Sequence, residues 1–458
     1  MPKLRGASIL LISVELFAQS PSPVDMDKRY LMAAQTLEEI RRREDVGAMR
    51  CHAWELFRGV NRMLAPRFPI PLREVPVWLT WSTKEEIFSS HALSFFDGLQ
   101  ILDQFRVFAG PPPLAGLDPT IPASSQIPLS RVSMSPAAAA RMRARTEVPG
   151  LPGVFVTPIH KETIVAADQR FNDAGIVGTA RQIAPFPDDS IAIKTAWYLV
   201  SSPVWEANPI PVWHGPPAGA DPKDRLTSNL WPDHIRIDPT HARNRCAQVE
   251  TSCPNLKPTP KATPNPDLQA IPIDRFFYVP VCKCEQAKAL RDASGITGLA
   301  GIYPGDYVVL MGMHLTTREI PDWVWATFWW SDHPNEGEFS RDRPPFFPSP
   351  WKNYVMDTTL DMVTPRGPKG QPKAIYNPWI EVTTMPHLVD ALASNCMNCH
   401  RASAYPRIAF PEPGLLDPAG TALGDKTKLD FLWTIGDQFH GPSESQIAPS
   451  VPKPVRRQ

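Results

Sequence analysis

Tyr307-Val308-Val309-Leu310-Met311-Gly312-Met313-His314-Leu315-Thr316-Thr317 is followed, after Arg318-Glu319-Ile320-Pro321-Asp322, by Trp323-Val324-Trp325-Ala326-Thr327-Phe328-Trp329-Trp330. Both runs are rich in β-branched and aromatic residues, and a short turn-forming connector separates them, so together they predict a β-hairpin. Period-two alternation puts Met311 and Met313 on one face and His314 on the other. Two further runs read as strands, Ser190 to Val200 and Arg275 to Val281.

Outward from this core the chain changes character. Residues 26–63 carry Leu31, Leu37, Ile40 and Val46 at helical spacing, with Trp54, Phe57 and Val60 continuing the same face. Trp78 and Trp81 follow, and leaving them with Trp54 in water would create a sizeable apolar patch, so this helical region is expected to pack on the strands. The chain holds 54 prolines in 458 residues, which forces much of it into extended or looped backbone. The expected fold class is α+β: an N-terminal helical segment packed on an antiparallel β-rich domain, with a Pro-rich insertion and a short C-terminal segment that carries Cys396-Met397-Asn398-Cys399-His400, a c-type haem attachment pattern, and is expected to bind haem. The expected boundaries are a signal peptide over 1–20, a helical region over 21–108 and a Pro/Ala-rich linker over 109–153. A β-rich domain then covers 154–378, interrupted by the Pro-rich insertion 214–272, and a haem-binding segment covers 379–458, with His387 to Asn395 as a short helix.

The last assignment rests on Cys396-Met397-Asn398-Cys399-His400. Cys-x-x-Cys-His is the attachment signature of c-type haem: two thiols one helical turn apart can add to the porphyrin vinyl groups, and the His that follows can ligate iron. With 7 cysteines and 11 histidines in the chain, the pattern arises by accident in about a few chains per thousand. The competing readings are a structural zinc half-site or a buried cysteine pair. No second Cys-x-x-Cys supplies the remaining zinc ligands. One covalent haem c is therefore expected, with Cys396, Cys399 and His400 as its binding residues and His400 as the proximal iron ligand.

The sixth iron position is open to several groups. No Met lies after the motif, and the downstream His is His440. His314, held on a strand, is the candidate distal ligand, alongside an open or water-bound iron. Met311, Met313, His440, His387, Met385, His52 and His91 have lesser claims.

Attachment of such a haem takes place outside the cytoplasm. The apolar stretch from Ala7 to Ala18, after Lys3 and Arg5, reads as an export leader, although Glu15 interrupts it. A periplasmic bacterial location is expected, with no membrane span. The 47 basic and 47 acidic residues balance, which argues against a nucleic-acid partner. Of the other cysteines, Cys246 and Cys253 flank a short loop and are placed to pair. Cys282 and Cys284 alternate on one strand and so do not bridge each other; one of them is left for Cys51.

The segment His314 to Phe328 resembles a motif of large bacterial c-type cytochrome proteins, roughly His-x-x-Thr-Lys-x-x-Pro-x-Trp-x-Trp-x-Thr-Phe. There, as here, it follows an Ile-Lys-x-x-Trp strand (Ile193-Lys194-Thr195-Ala196-Trp197) and precedes a late Cys-Met-x-Cys-His. A second resemblance is to cytochrome P-four-sixty and its β-sheet relatives, through residues 187–194, 308–310, 323–328, 396–400 and 430–434. It implies haem held against an antiparallel sheet, with Lys194 in the place of a haem-linked lysine.

The function expected from the sequence is thus a periplasmic monohaem c-type cytochrome that transfers electrons to an unknown redox partner. The alternative is a haem enzyme or small-ligand binder for peroxide, hydroxylamine or nitric oxide. No hydrolase triad, phosphate loop or dinucleotide fingerprint is present.

Overall fold

The computed structural model describes residues 24–64, 74–88, 106–107, 129–144, 146–153, 155–156, 159, 161–200, 210–216, 219, 231–254, 256, 266–294, 302–367, 370–382, 395–406 and 423–436. Its centre is an antiparallel sheet of eight strands: β1 (Ser82–Thr83), β2 (Arg106–Val107), β3 (Leu129–Met134), β4 (Ile191–Val200), β5 (Tyr278–Pro280), β6 (Tyr307–Thr317), β7 (Val324–Trp330) and β8 (Tyr354–Thr359). The strand order is β8-β7-β6-β4-β3-β1, with β5 beside β6 and β2 beside β3. The predicted hairpin is β6 and β7, in register from Gly312–Trp329 to Thr317–Val324. Its turn closes with Trp323 in the left-handed region, at φ 62°. That is an uncommon conformation for a bulky residue, and it is held by packing: the Trp323 indole lies 5.9 Å from the Phe186 ring.

The two faces of the sheet carry different chemistry. On one face Met313, Phe328 and Met356 lie side by side across β6, β7 and β8. Helix α1 (Ala34–Arg42) and helix α2 (Val46–Val60) belong to the core on this side. Phe57 of α2 stacks on Phe328 at 4.0 Å between ring centres, and Trp54 meets it edge-on at 5.4 Å. Trp54, Trp78 and Trp81 are all fully buried there, as the helical spacing and the size of the exposed patch required. His52 faces this side too and is held by the Glu319 carboxylate at 3.1 Å.

On the opposite face one row of paired residues runs Val132, Lys194, His314, Thr327, Asp357. A second core, with Trp323, Trp325, Ala192, Met397, Leu429 and Leu432, packs beside that row. The register between β4 and β6 shifts between Leu310 and Gly312. Through that irregularity Lys194 stands directly across from His314.

Several boundaries differ from the sequence reading. The stretch 129–143, placed in a linker by its Ala, Ser and Pro content, is strand β3 followed by helix α3 (Pro136–Arg143). Ser135 caps the helix by accepting from the Ala138 amide, and Pro136 sits in its first turn, where a missing amide hydrogen costs nothing. Arg131 in mid-strand is tolerated because its guanidinium donates to the Leu79 and Trp81 carbonyls. The stretch 214–272 is not a simple insertion either. Asp233–Asp238 and Gln269–Pro272 pair in parallel, and the former pairs with Ile210–Val212 in a second, three-stranded sheet. Edge strand β8 lies inside the expected β-rich domain 154–378, although the sequence singles out no strand there.

The disulfides also depart from expectation. Cys246 bonds Cys282, and Cys253 bonds Cys284. Cys246 and Cys253 do not join each other, and Cys51 is an exposed free thiol. The reason is local geometry: Cys282 ends an extended segment while Cys284 begins the helix Cys284–Ser294, so the two sulfurs diverge to separate partners. Among the described residues no helix is long and apolar enough to cross a membrane. The expected leader over 1–20 lies outside the described residues, as do most of the helix His387 to Asn395, His91, Met385 and His440.

Candidate functional site

The polar row on the sheet is covered by the segment that leads into residues 396–400. Asn377 donates to Thr327 Oγ1 at 2.9 Å and to the Phe328 carbonyl at 2.8 Å, and its Oδ1 accepts from the Trp379 amide at 3.0 Å. These bonds fix a single wide helical turn, Pro378–Val382. The turn delivers Glu381 onto His314, whose Nε2–H donates to Glu381 Oε1 at 2.6 Å. Burial would push the Glu381 carboxyl up, but the imidazole beside it holds it below the ordinary value. His314 Nδ1 is buried without a hydrogen-bond partner among the described residues. At the edge, burial raises Asp357 despite Lys373 Nζ at 3.0 Å and Arg50 Nη1 at 3.8 Å.

Helix α4 (Cys396–His400) packs on this surface. Asn395 caps it, accepting from the Asn398 amide at 3.0 Å, while its own amide nitrogen donates to the Met362 carbonyl at 2.9 Å. Met397 is the buried anchor. Cys396 and Cys399, three residues apart on one turn, are both outside any disulfide and half-buried. Burial, then the negative charges of Glu381 and Asp357, pushes the Cys396 thiol well above its ordinary pKa, so it rests protonated. The His400 imidazole lies 4.4 Å from the Trp325 indole, between ring centres, and its Nδ1–H donates to the Phe431 carbonyl at 2.8 Å. That bond fixes the tautomer and leaves Nε2 with a lone pair. Burial dominates its titration, with lesser effects from His314 and Lys194, and lowers its pKa to about 4. His400 is neutral at pH 7.

Five residues singled out in the sequence are therefore brought to one place: Lys194, His314, Cys396, Cys399 and His400. Met311 and Met313 are fully buried in the main core, and His52 is on the far face. Glu381, Asn377 and Asp357 were not foreseen. Nothing local marks any of them: Asn377 and Glu381 gain a role only through the turn over Thr327, and Asp357 only through its register opposite Thr327 on β8.

No family model, no curated protein and no solved structure matches the chain.

These findings correct the cytochrome readings. Neither the large c-type cytochrome family nor the cytochrome P-four-sixty group emerges as a relative. The bonded cysteines of the structure are disulfides, Cys246–Cys282 and Cys253–Cys284, while Cys396 and Cys399 stand outside both. Monohaem electron transfer, its alternative of a haem enzyme or small-ligand binder, haem c as cofactor and iron at His400 are set aside. The assignment of His314 as a distal ligand falls with the haem; in the structure its Nε2 pairs with Glu381.

Proposed function

We propose that Cys396 and Cys399 form a two-thiol redox centre in a protein of an oxidising compartment such as the periplasm. The observation that carries this reading is their pairing: two cysteines outside any disulfide, one helical turn apart, in a chain whose cysteines at 246, 253, 282 and 284 are already bonded to one another. Residues three apart in a helix have Cα atoms about 5 Å apart, within the span a disulfide bridges. The two existing disulfides support an extracytoplasmic setting, since such bonds persist where thiols are not kept reduced.

The surroundings divide the roles. Cys396 is held as a thiol by burial and by the charges of Glu381 and Asp357, so it suits the resolving position rather than the entering one. Cys399 attacks one sulfur of a substrate disulfide and forms a mixed disulfide, and the departing substrate thiolate takes up a proton. Cys396 then attacks Cys399 Sγ, passes its own proton to the second departing thiolate, and closes the Cys396–Cys399 bond. Two electrons and two protons move from the dithiol to the substrate disulfide, which becomes two thiols. His400, neutral and fixed between Trp325 and Phe431, adds no charge beside the two sulfurs.

The test is thiol trapping and mass analysis after equilibration in glutathione buffers of graded potential. Cys396 and Cys399 should pass together from alkylated to bonded, with Cys51 alkylated separately, and C396S or C399S should abolish the transition. Two thiols alkylated at every potential would overturn the reading. So would a visible chromophore that survives denaturation, because it would place both sulfurs in thioether bonds.

A further inference from the structure

A second cluster lies away from the polar row. It joins the three-stranded sheet to the end of β7. His214 follows strand Ile210–Val212, Asp233 opens its partner strand, and Asp332 and His333 follow β7. His214 Nε2 lies 3.0 Å from both carboxylate oxygens of Asp332. His333 Nε2 lies 3.4 Å from Asp332 Oδ2. One carboxylate thus stands between two imidazole Nε2 atoms, and the three ligand atoms lie within 4.8 Å of one another.

The opposite nitrogens are also held. His214 Nδ1 is 2.8 Å from Asp233 Oδ2, and His333 Nδ1 is 3.4 Å from Glu336 Oε1. Each imidazole therefore has a carboxylate at Nδ1 and aims Nε2 at the same point. This is the arrangement by which metal-bound histidines are oriented: the outer carboxylate fixes the tautomer and raises the basicity of the ligating nitrogen. Spacing agrees as well. Ligand atoms roughly 2.1 Å from a tetrahedral zinc are about 3.4 Å from one another.

The site is anchored rather than floppy. The Asp332 side chain is only 9 % exposed, its carbonyl accepts from Arg275 Nη2 at 3.3 Å, and the His333 amide donates to Ser331 Oγ at 3.1 Å. The outer rim is open, with His333 57 % exposed, so an ion can enter.

We propose that His214, Asp332 and His333 bind a divalent first-row metal ion of the zinc type, with Asp233 and Glu336 orienting the two imidazoles. Two histidines and one carboxylate leave a fourth position to water or to a ligand from solution. The alternative is an ion-pair network of protonated histidines with no metal affinity.

The experiment is a zinc titration of the full chain against a chromophoric chelator at pH 7.5, repeated with cobalt to read the ligand type. One equivalent should bind, and the cobalt complex should show ligand-field bands without a thiolate charge-transfer band. Binding should survive C396S/C399S. It should be lost in H214Q/H333Q and in D332N, and D233N should weaken it about 10- to 100-fold. The exposed His pair guards against the chance that D332N fails to fold. No saturable zinc in the wild type, a thiolate band, or full binding by H214Q/H333Q would each overturn the proposal.

Discussion

His314 Nε2 stands 2.6 Å from Glu381 Oε1, and this contact joins the central strand of the sheet to the turn Pro378–Val382. The pair does two things. It keeps a buried carboxylate ionised below its ordinary pKa, and it places that charge where it opposes ionisation of the Cys396 thiol.

Removing one member should therefore be worse than removing both. H314A leaves the Glu381 charge buried and unpaired and should destabilise the protein by roughly 3 kcal/mol. E381Q should cost less, and H314A/E381Q should recover part of the loss. Urea unfolding of the three variants measures it; simple additivity would show that the contact contributes nothing.

His400 predicts an acid limb in stability. Its folded pKa, about 4, lies below the ordinary histidine value of 6.5. As pH falls below 6.5 the unfolded chain takes up the proton first, so this contribution is fully present above pH 6.5 and is lost progressively toward pH 4. The difference between wild type and H400Q in urea midpoint should shrink over that window. A difference independent of pH would mean that the imidazole is protonated as easily in the folded protein as in the unfolded chain.

The two disulfides interlock, with sequence separations of 36 and 31. Each loop alone corresponds to about 3–4 kcal/mol of chain entropy. With one bond present, the other closes only a short remaining path, so either C246S/C282S or C253S/C284S should cost about 3 kcal/mol and all four substitutions about 6. Thermal melts under non-reducing conditions read the series. Equal stability of either double variant and the wild type would refute the staple.

Gly312 has no room for a side chain. A Cβ there would lie 2.6 Å from Asn377 Oδ1, the atom that caps the turn leading to Glu381. G312A should cost about 1–3 kcal/mol through displacement of Asn377. It should also raise the alkylation rate of Cys396. Unchanged melting and unchanged alkylation would show that residues 377–382 yield without loss.

The amino-acid sequence by itself determined the local pieces: the β6–β7 hairpin, strand β4, the apolar faces of α1 and α2, and the placement of Cys396, Cys399 and His400 on one helical turn. Those follow from period, turn chemistry and spacing, which neighbouring residues carry among themselves. It misjudged β3, because Leu129 to Met134 has no clean apolar alternation; the strand is stable there only because Arg131 finds distant carbonyls at Leu79 and Trp81. Only tertiary structure decided which cysteines pair, since closing a loop of about thirty residues costs little more entropy than closing a short one, and direction of approach then selects the partner. Only tertiary structure set Lys194 opposite His314, through one register shift, and brought Glu381 and the His214–Asp332–His333 cluster together. Such meetings depend on strand order and on the path of long connections, and no local pattern encodes them.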